Sequence, residues 1–129
     1  MKSTEKTILV IEDDKALNQA IVLKLKRKGY VPVSVFTAED ALNILEVGDV
    51  HIDFIWLDIL LPGMNGLEFL RSIKENHKFK NIKVAVISAS GGYEQQEVAK
   101  KLGAIDYIVK SNSSLEEIAQ KVSEDLAAN

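Results

Sequence analysis

The chain has no cysteine, which excludes disulfides and thiolate metal centres and removes any pointer to an oxidising compartment. It has only two prolines, and aromatic residues make up 6% of its 129 positions, so the core has to be built mainly from aliphatic side chains. No apolar stretch approaches the roughly 20 residues that span a bilayer. Met1 to Thr7 is polar and lacks the apolar segment of a signal peptide. Charge of one sign is also missing. Sixteen basic residues face nineteen acidic ones, and a net charge of -3 gives no electrostatic footprint for nucleic acid. What remains, at 47% hydrophobic and 27% charged, is globular in composition and suits one domain. The expectation is a single cytoplasmic domain over residues 1–129, with a core of about 7–126 and no direct contact with membrane or nucleic acid.

Short apolar runs alternate with longer amphipathic stretches, the signature of a βα alternation. Strands are expected at Ile8–Ile11, Val31–Phe36, Phe54–Leu57, Val84–Ile87 and Ile105–Val109. Helical stripes run through Leu17, Ala20, Ile21 and Leu25, through Ala38, Ala41, Leu42 and Leu45, and through Leu67, Leu70 and Ile73. The clearest runs through Leu115, Ile118, Ala119, Val122 and Leu126. Tyr93 to Leu102 offers only Val98, Ala99 and Leu102 for burial, which predicts a loosely held helix. Thr37 is placed to cap the second helix, and Ser113 with Glu116 forms an expected capping box before the last. Gly29, Gly48 and Gly103 stand where left-handed residues close helices.

The third and fourth runs are apolar throughout, as strands covered on both faces are. Pro32 and the alternating pattern around it place the second run at an edge, and Asp106 with Tyr107 does the same for the fifth. The fold class is therefore α/β, a single doubly wound five-stranded parallel sheet of flavodoxin-like (βα)5 order 2-1-3-4-5. In that order the first and third strands are neighbours, and ligands bind outside their carboxyl ends.

Those ends carry chemistry. Glu12-Asp13-Asp14 closes the first run and Asp58 closes the third. Like charges so close call for a hard cation or a proton. Glu12 and Asp13 offer oxygen ligands suited to Mg²⁺, while Asp14 faces the helix start and reads as a cap. Asp58 can ligate a metal, cap a loop or attack phosphorus as a nucleophile. Ser88 ends the fourth strand and can donate to a phosphoryl oxygen; Lys110 ends the fifth and can neutralise one. His51, His77 and the lysines at 24, 26 and 28 with Arg27 read as solvated. Trp56 reads as core.

These motifs together resemble the receiver domain of two-component response regulators. The resemblance rests on Ile8-Leu9-Val10-Ile11-Glu12-Asp13-Asp14, Leu57-Asp58-Ile59-Leu60-Leu61-Pro62-Gly63-Met64-Asn65-Gly66, Val86-Ile87-Ser88-Ala89, Gly103-Ala104-Ile105-Asp106-Tyr107 and Ile108-Val109-Lys110. It implies a phospho-accepting switch, not a turnover enzyme. Asp58 would accept the phosphoryl group from a histidine kinase or histidine phosphotransfer protein. Glu12, Asp13, Asp58 and the backbone carbonyl of Leu60 would hold Mg²⁺, with Mn²⁺ a substitute. Ser88, the backbone N–H of Ala89 and Lys110 would bind the phosphoryl group, and Ser88 with Tyr107 would form the switch. The face built from the fourth helix, fifth strand and fifth helix would meet a downstream protein.

Two departures from the family pattern carry expectations. Ser111 replaces the usual proline after the lysine, so Lys110–Ser111 is expected to be trans and Lys110 to be aimed less firmly. Leu60 and Ser90 occupy positions that modulate dephosphorylation in the family, and apolar Leu60 cannot orient a hydrolytic water, which implies slow loss of the phosphoryl group. The competing class is a Mg²⁺-dependent phosphatase or phosphotransferase with an Asp nucleophile; it wants a second acid where Leu60 stands. A flavin-binding role is opposed by the acidic trio, which would repel a phosphate.

Overall fold

In the computed structural model, residues 5–89 and 91–128 are described. Five strands, β1 (Thr7–Ile11), β2 (Val31–Val35), β3 (Phe54–Leu57), β4 (Lys83–Ser88) and β5 (Asp106–Val109), alternate with five helices. The helices are α1 (Lys15–Arg27), α2 (Ala38–Val47), α3 (Gly66–Lys74), α4 (Tyr93–Lys101) and α5 (Leu115–Ala127). All strand pairs are parallel, and the order is β2-β1-β3-β4-β5, as expected.

Two-residue periodicity divides the strands between two cores. Leu9, Ile11, Ile55, Leu57, Val84 and Val86 face α2, α3 and α4, meeting Ala41, Phe69, Leu70 and Ala99. Ile8, Val10, Phe54, Trp56, Ala85 and Ile87 face α1 and α5, meeting Ile21, Leu25, Ile118 and Val122. Each large side chain fully removed from water contributes roughly 1.5–3 kcal/mol, so this aliphatic double core sustains the sheet. Pro32 lies on the edge strand β2, where its missing N–H costs no ladder bond.

The punctuation agrees except at one place. Thr37 caps α2 through Asp40 N–H, and Gly29, Gly48 and Gly103 all take positive φ at helix ends. The last helix starts one residue later than expected, capped by Ser114 with Glu117 in the reciprocal role and not by Ser113 with Glu116. Lys110–Asn112 forms a 3₁₀ turn that carries the chain past Ser113, still extended at φ -148. Helix α4 buries only Ala99 and has no side-chain cap, in keeping with its weak stripe. Lys83 reaches from β4 to the carbonyls of Asp125 and Leu126 at 2.9 and 3.4 Å, and to that of Ala128, placing a cation on the negative end of α5. No helix among the described residues is long and apolar enough to cross a membrane.

Asp106 of β5 and Asp125 of α5 lie close enough to influence one another. Burial pushes Asp125 up to about 6, a shared side-chain hydrogen bond and the charge of Asp106 act in the same direction, and Lys121 opposes them. The fold favours protonated Asp125. Its contribution is present below the ordinary value of 3.8 and is lost as the pH rises through about 6. Asp125→Asn, neutral at every pH, is expected to exceed the parent by about 1 kcal/mol near pH 7.5, after allowance for solvent screening, and to match it near pH 4. Urea unfolding at the two pH values measures the difference.

Candidate functional site

Parallel register aligns the carboxyl ends of the central strands. Ile11 lies opposite Leu57, so Glu12 and Asp58 leave adjacent strands side by side. Ser88 lies opposite Val109, which brings Lys110 to the same edge. Backbone bonds fix the approach: Asp58 N–H donates to Ile11 O at 3.1 Å, and Glu12 N–H to Val35 O at 3.2 Å.

Lys110 Nζ sits between two buried carboxylates, 2.7 Å from Glu12 Oε1 and 3.0 Å from Asp58 Oδ2. The remaining oxygens are also engaged. Glu12 Oε2 accepts from Asp14 N–H at 3.0 Å, and Asp58 Oδ1 accepts from Leu60 N–H at 2.9 Å. Asp13 is exposed at the mouth, and Glu12, Asp13 and Asp58 each place one carboxylate oxygen within 4.8 Å of the others. Asp14 caps α1 through Leu17 N–H at 3.0 Å and stands apart from that trio.

One ammonium cannot balance three carboxylates. Burial pushes Glu12 above the ordinary carboxylate range and the charge of Asp58 adds to this, while Lys110 and the Asp14 N–H pull it back. Burial works against the charge of Lys110, but its bonds to Glu12 and Asp58 outweigh it and hold the ammonium above the ordinary lysine range. The residual negative charge and the hard oxygen donors suit a small divalent cation such as Mg²⁺.

Lys110–Ser111 is trans, since no cis bond occurs among the described residues. From this trans bond Lys110 reaches Glu12 and Asp58, which meet the ammonium from both sides. Ser88 is fully buried at the end of β4. Burial raises Tyr107 above the usual phenol range; a side-chain hydrogen bond with Ser88 opposes this, and the Asp58 charge reinforces it. The Ser88–Tyr107 pair is thus joined beside Asp58. Leu60 is 51% exposed at the mouth, and Ser90 lies outside the described residues.

Several supporting residues escaped the sequence reading. Asn18 is buried, and its Nδ2 donates to Glu12 O at 3.0 Å and Val35 O at 3.2 Å, tying α1 to the ends of β1 and β2. Its signal was a polar residue in register with Ile21 and Leu25. Glu39 of α2 accepts from Met64 N–H at 3.0 Å, clasping the loop after Asp58. Gly66 presses against β3's exit: a Cβ there would lie 2.3 Å from Ile59 Cα and 2.7 Å from Asp58 O, so the loop requires glycine. Gln96 Nε2 donates to Gly91 O at 2.8 Å and closes the start of α4. Lys24 and Lys28, read as solvated, instead pair with Glu116 at 2.8 and 3.0 Å and join α1 to α5.

The fold and site together are those of an open α/β sheet with acids at its switch point and a lysine reaching them. Residues 8–123 match the response regulator receiver domain model, and the chain belongs to that family. It is 31% identical over 113 residues to the phosphate regulon transcriptional regulatory protein PhoB of Escherichia coli K12, covering 88% of this chain and 48% of PhoB. With BasR of the same organism the identity is 35% over 115 residues, 89% of this chain and 50% of BasR. The chain therefore spans about half the length of these curated relatives. Among solved structures, the Mn²⁺-bound form of response regulator Rcp1 superposes with a TM-score of 0.86 at 26% identity, covering 96% of each chain. The phosphorylated cyanobacterial phytochrome response regulator RcpA gives 0.82 at 29% identity, covering 95% of this chain and 91% of RcpA.

Asn18→Leu keeps the bulk but removes both bonds to the strand ends. A loss of about 1–3 kcal/mol in chemical denaturation is expected, because the buried Glu12 carbonyl loses its side-chain donor. An unchanged midpoint would show that Asn18 is incidental.

Proposed function

We propose that the chain is a phospho-accepting switch. Asp58 takes a phosphoryl group from a phosphohistidine of a histidine kinase or histidine phosphotransfer protein. The observation that carries the reading is Lys110 bridging Glu12 and Asp58 within an acidic trio of hard oxygen ligands. An Asp58 oxygen bonds to phosphorus, the phosphorus–nitrogen bond breaks, and its electron pair returns to the donor imidazole. Glu12, Asp13 and Asp58 would hold Mg²⁺, with Mn²⁺ a substitute, and the resemblance adds the backbone carbonyl of Leu60. Bound there, the ion offsets charge on the phosphoryl oxygens. The Mn²⁺-bound form of Rcp1 and the phosphorylated form of RcpA support this reading.

Lys110 supplies the second positive charge at the acceptor, while the Ser88 hydroxyl and the Ala89 N–H donate to phosphoryl oxygens. The new oxygens compete for the Ser88 hydroxyl that now bonds Tyr107, so modification of Asp58 reaches β5 through that pair. The output is the face of α4, β5 and α5. Tyr93, Val98 and Ile105 are exposed there, at 76%, 42% and 46%, and α4 has one buried residue to hold it in place. A weakly held element of this kind is what two functional states can share. The downstream protein is one that buries these apolar side chains. A phosphatase reading lacks support, because Leu60 stands where a second acid would be needed.

With Mg²⁺ and acetyl phosphate, the intact protein is expected to gain one stable phosphoryl group by mass spectrometry. Asp58→Asn gains none, a chelator prevents the gain, and Lys110→Ala slows it on the order of 10²-fold. Steady release of phosphate without retained label would instead favour the enzyme class.

A further inference from the structure

Residues 59–65 carry the chain from Asp58 to the start of α3. Leu60 in this loop donates its N–H to Asp58 Oδ1 at 2.9 Å. The residue that steadies one Asp58 oxygen thus also carries the backbone carbonyl given above to the metal. Two further bonds stay local: Gly66 N–H donates to Ile59 O at 3.0 Å, and Asn65 N–H to Glu68 Oε1 at 3.2 Å. Glu39 reaches the loop from another element. It stands in the first turn of α2, a firm base that Thr37 caps and that buries Ala38 and Ala41 completely.

Glu39 Oε2 accepts from Met64 N–H at 3.0 Å. That bond, helped by Glu39's own N–H, holds its carboxyl below the ordinary carboxylate range, so the acceptor is ionised at neutral pH. The carboxylate also lies against Gly63, whose φ is 72° and where a Cβ would come within 2.8 Å of Oε2. The turn therefore needs glycine both for its conformation and to admit the carboxylate.

We propose that Glu39 is a positioning residue for divalent-ion binding: by clasping Met64 it fixes the loop that places the Leu60 carbonyl beside Asp58. The inference rests on the metal site of the proposed function. Glu39 acts through the backbone and is not itself a ligand. Without the clasp, the loop has to be ordered when the ion binds, and that ordering weakens affinity.

Glu39→Ala removes the acceptor, whereas Glu39→Gln removes the charge and keeps an acceptor oxygen. Calorimetric titration of the intact protein with Mg²⁺ is expected to show affinity lowered roughly two- to tenfold in Glu39→Ala, the size of one net hydrogen bond. Glu39→Gln should recover most of it. An equal loss in both variants assigns the effect to charge and overturns the clasp, as does unchanged affinity in Glu39→Ala. In the ion-free protein, ¹⁵N relaxation should show lower order at the Leu60 and Met64 amides of Glu39→Ala, with Phe69 and Ile73 of α3 as in the parent. Unchanged order at Leu60 also overturns it. A parent that binds no Mg²⁺ counts against the metal site itself, and the ion-free Leu60 amide still decides whether Glu39 fixes the loop.

Discussion

The arrangement depends on one ammonium held between two buried carboxylates. Lys110 lies 2.7 Å from Glu12 and 3.0 Å from Asp58, and these groups come from the ends of three different strands. Carboxylates buried in this way are costly unless paired. The pairing therefore couples the positions of β1, β3 and the turn after β5, and it leaves a net negative site beside an exposed Asp13. That imbalance is what a divalent cation can offset.

The rest of the fold delivers these groups to one edge. Parallel pairing in the order β2-β1-β3-β4-β5 puts the switch point between β1 and β3. Two aliphatic cores clamp the sheet from both sides, so the strand ends cannot drift independently. Small devices then trim the loops: Asn18 on the strand-end carbonyls, Glu39 on Met64, and Gly66 folded tightly against Ile59. Stability is spent unevenly. The side bearing α1 and α5 is cross-linked by Glu116 with Lys24 and Lys28, whereas α4 is held by little more than Ala99. The element with least to hold it lies on the face assigned to output.

Much of this was legible because strand ends and helix stripes are local signals. Apolar runs gave the strands, Pro32 gave an edge, and the acids at run ends gave the crevice. The misses are tertiary. Ser114 replaced Ser113 as the cap because a 3₁₀ turn after β5 displaced the helix start. Lys110 meets two partners distant in sequence, Glu12 and Asp58, a pairing that no local pattern encodes. Asn18 and Glu39 looked like ordinary helix residues until their carbonyl and N–H partners were brought in from other elements.

The most direct test maps the modified atom. Protein treated with Mg²⁺ and acetyl phosphate can be reduced with borohydride, which converts an acyl phosphate to the alcohol, and then digested and sequenced by mass spectrometry. The account predicts reduction at Asp58 alone, with Glu12 and Asp13 untouched. Label at any other residue, or none at Asp58 in a protein that has gained a phosphoryl group, would contradict it.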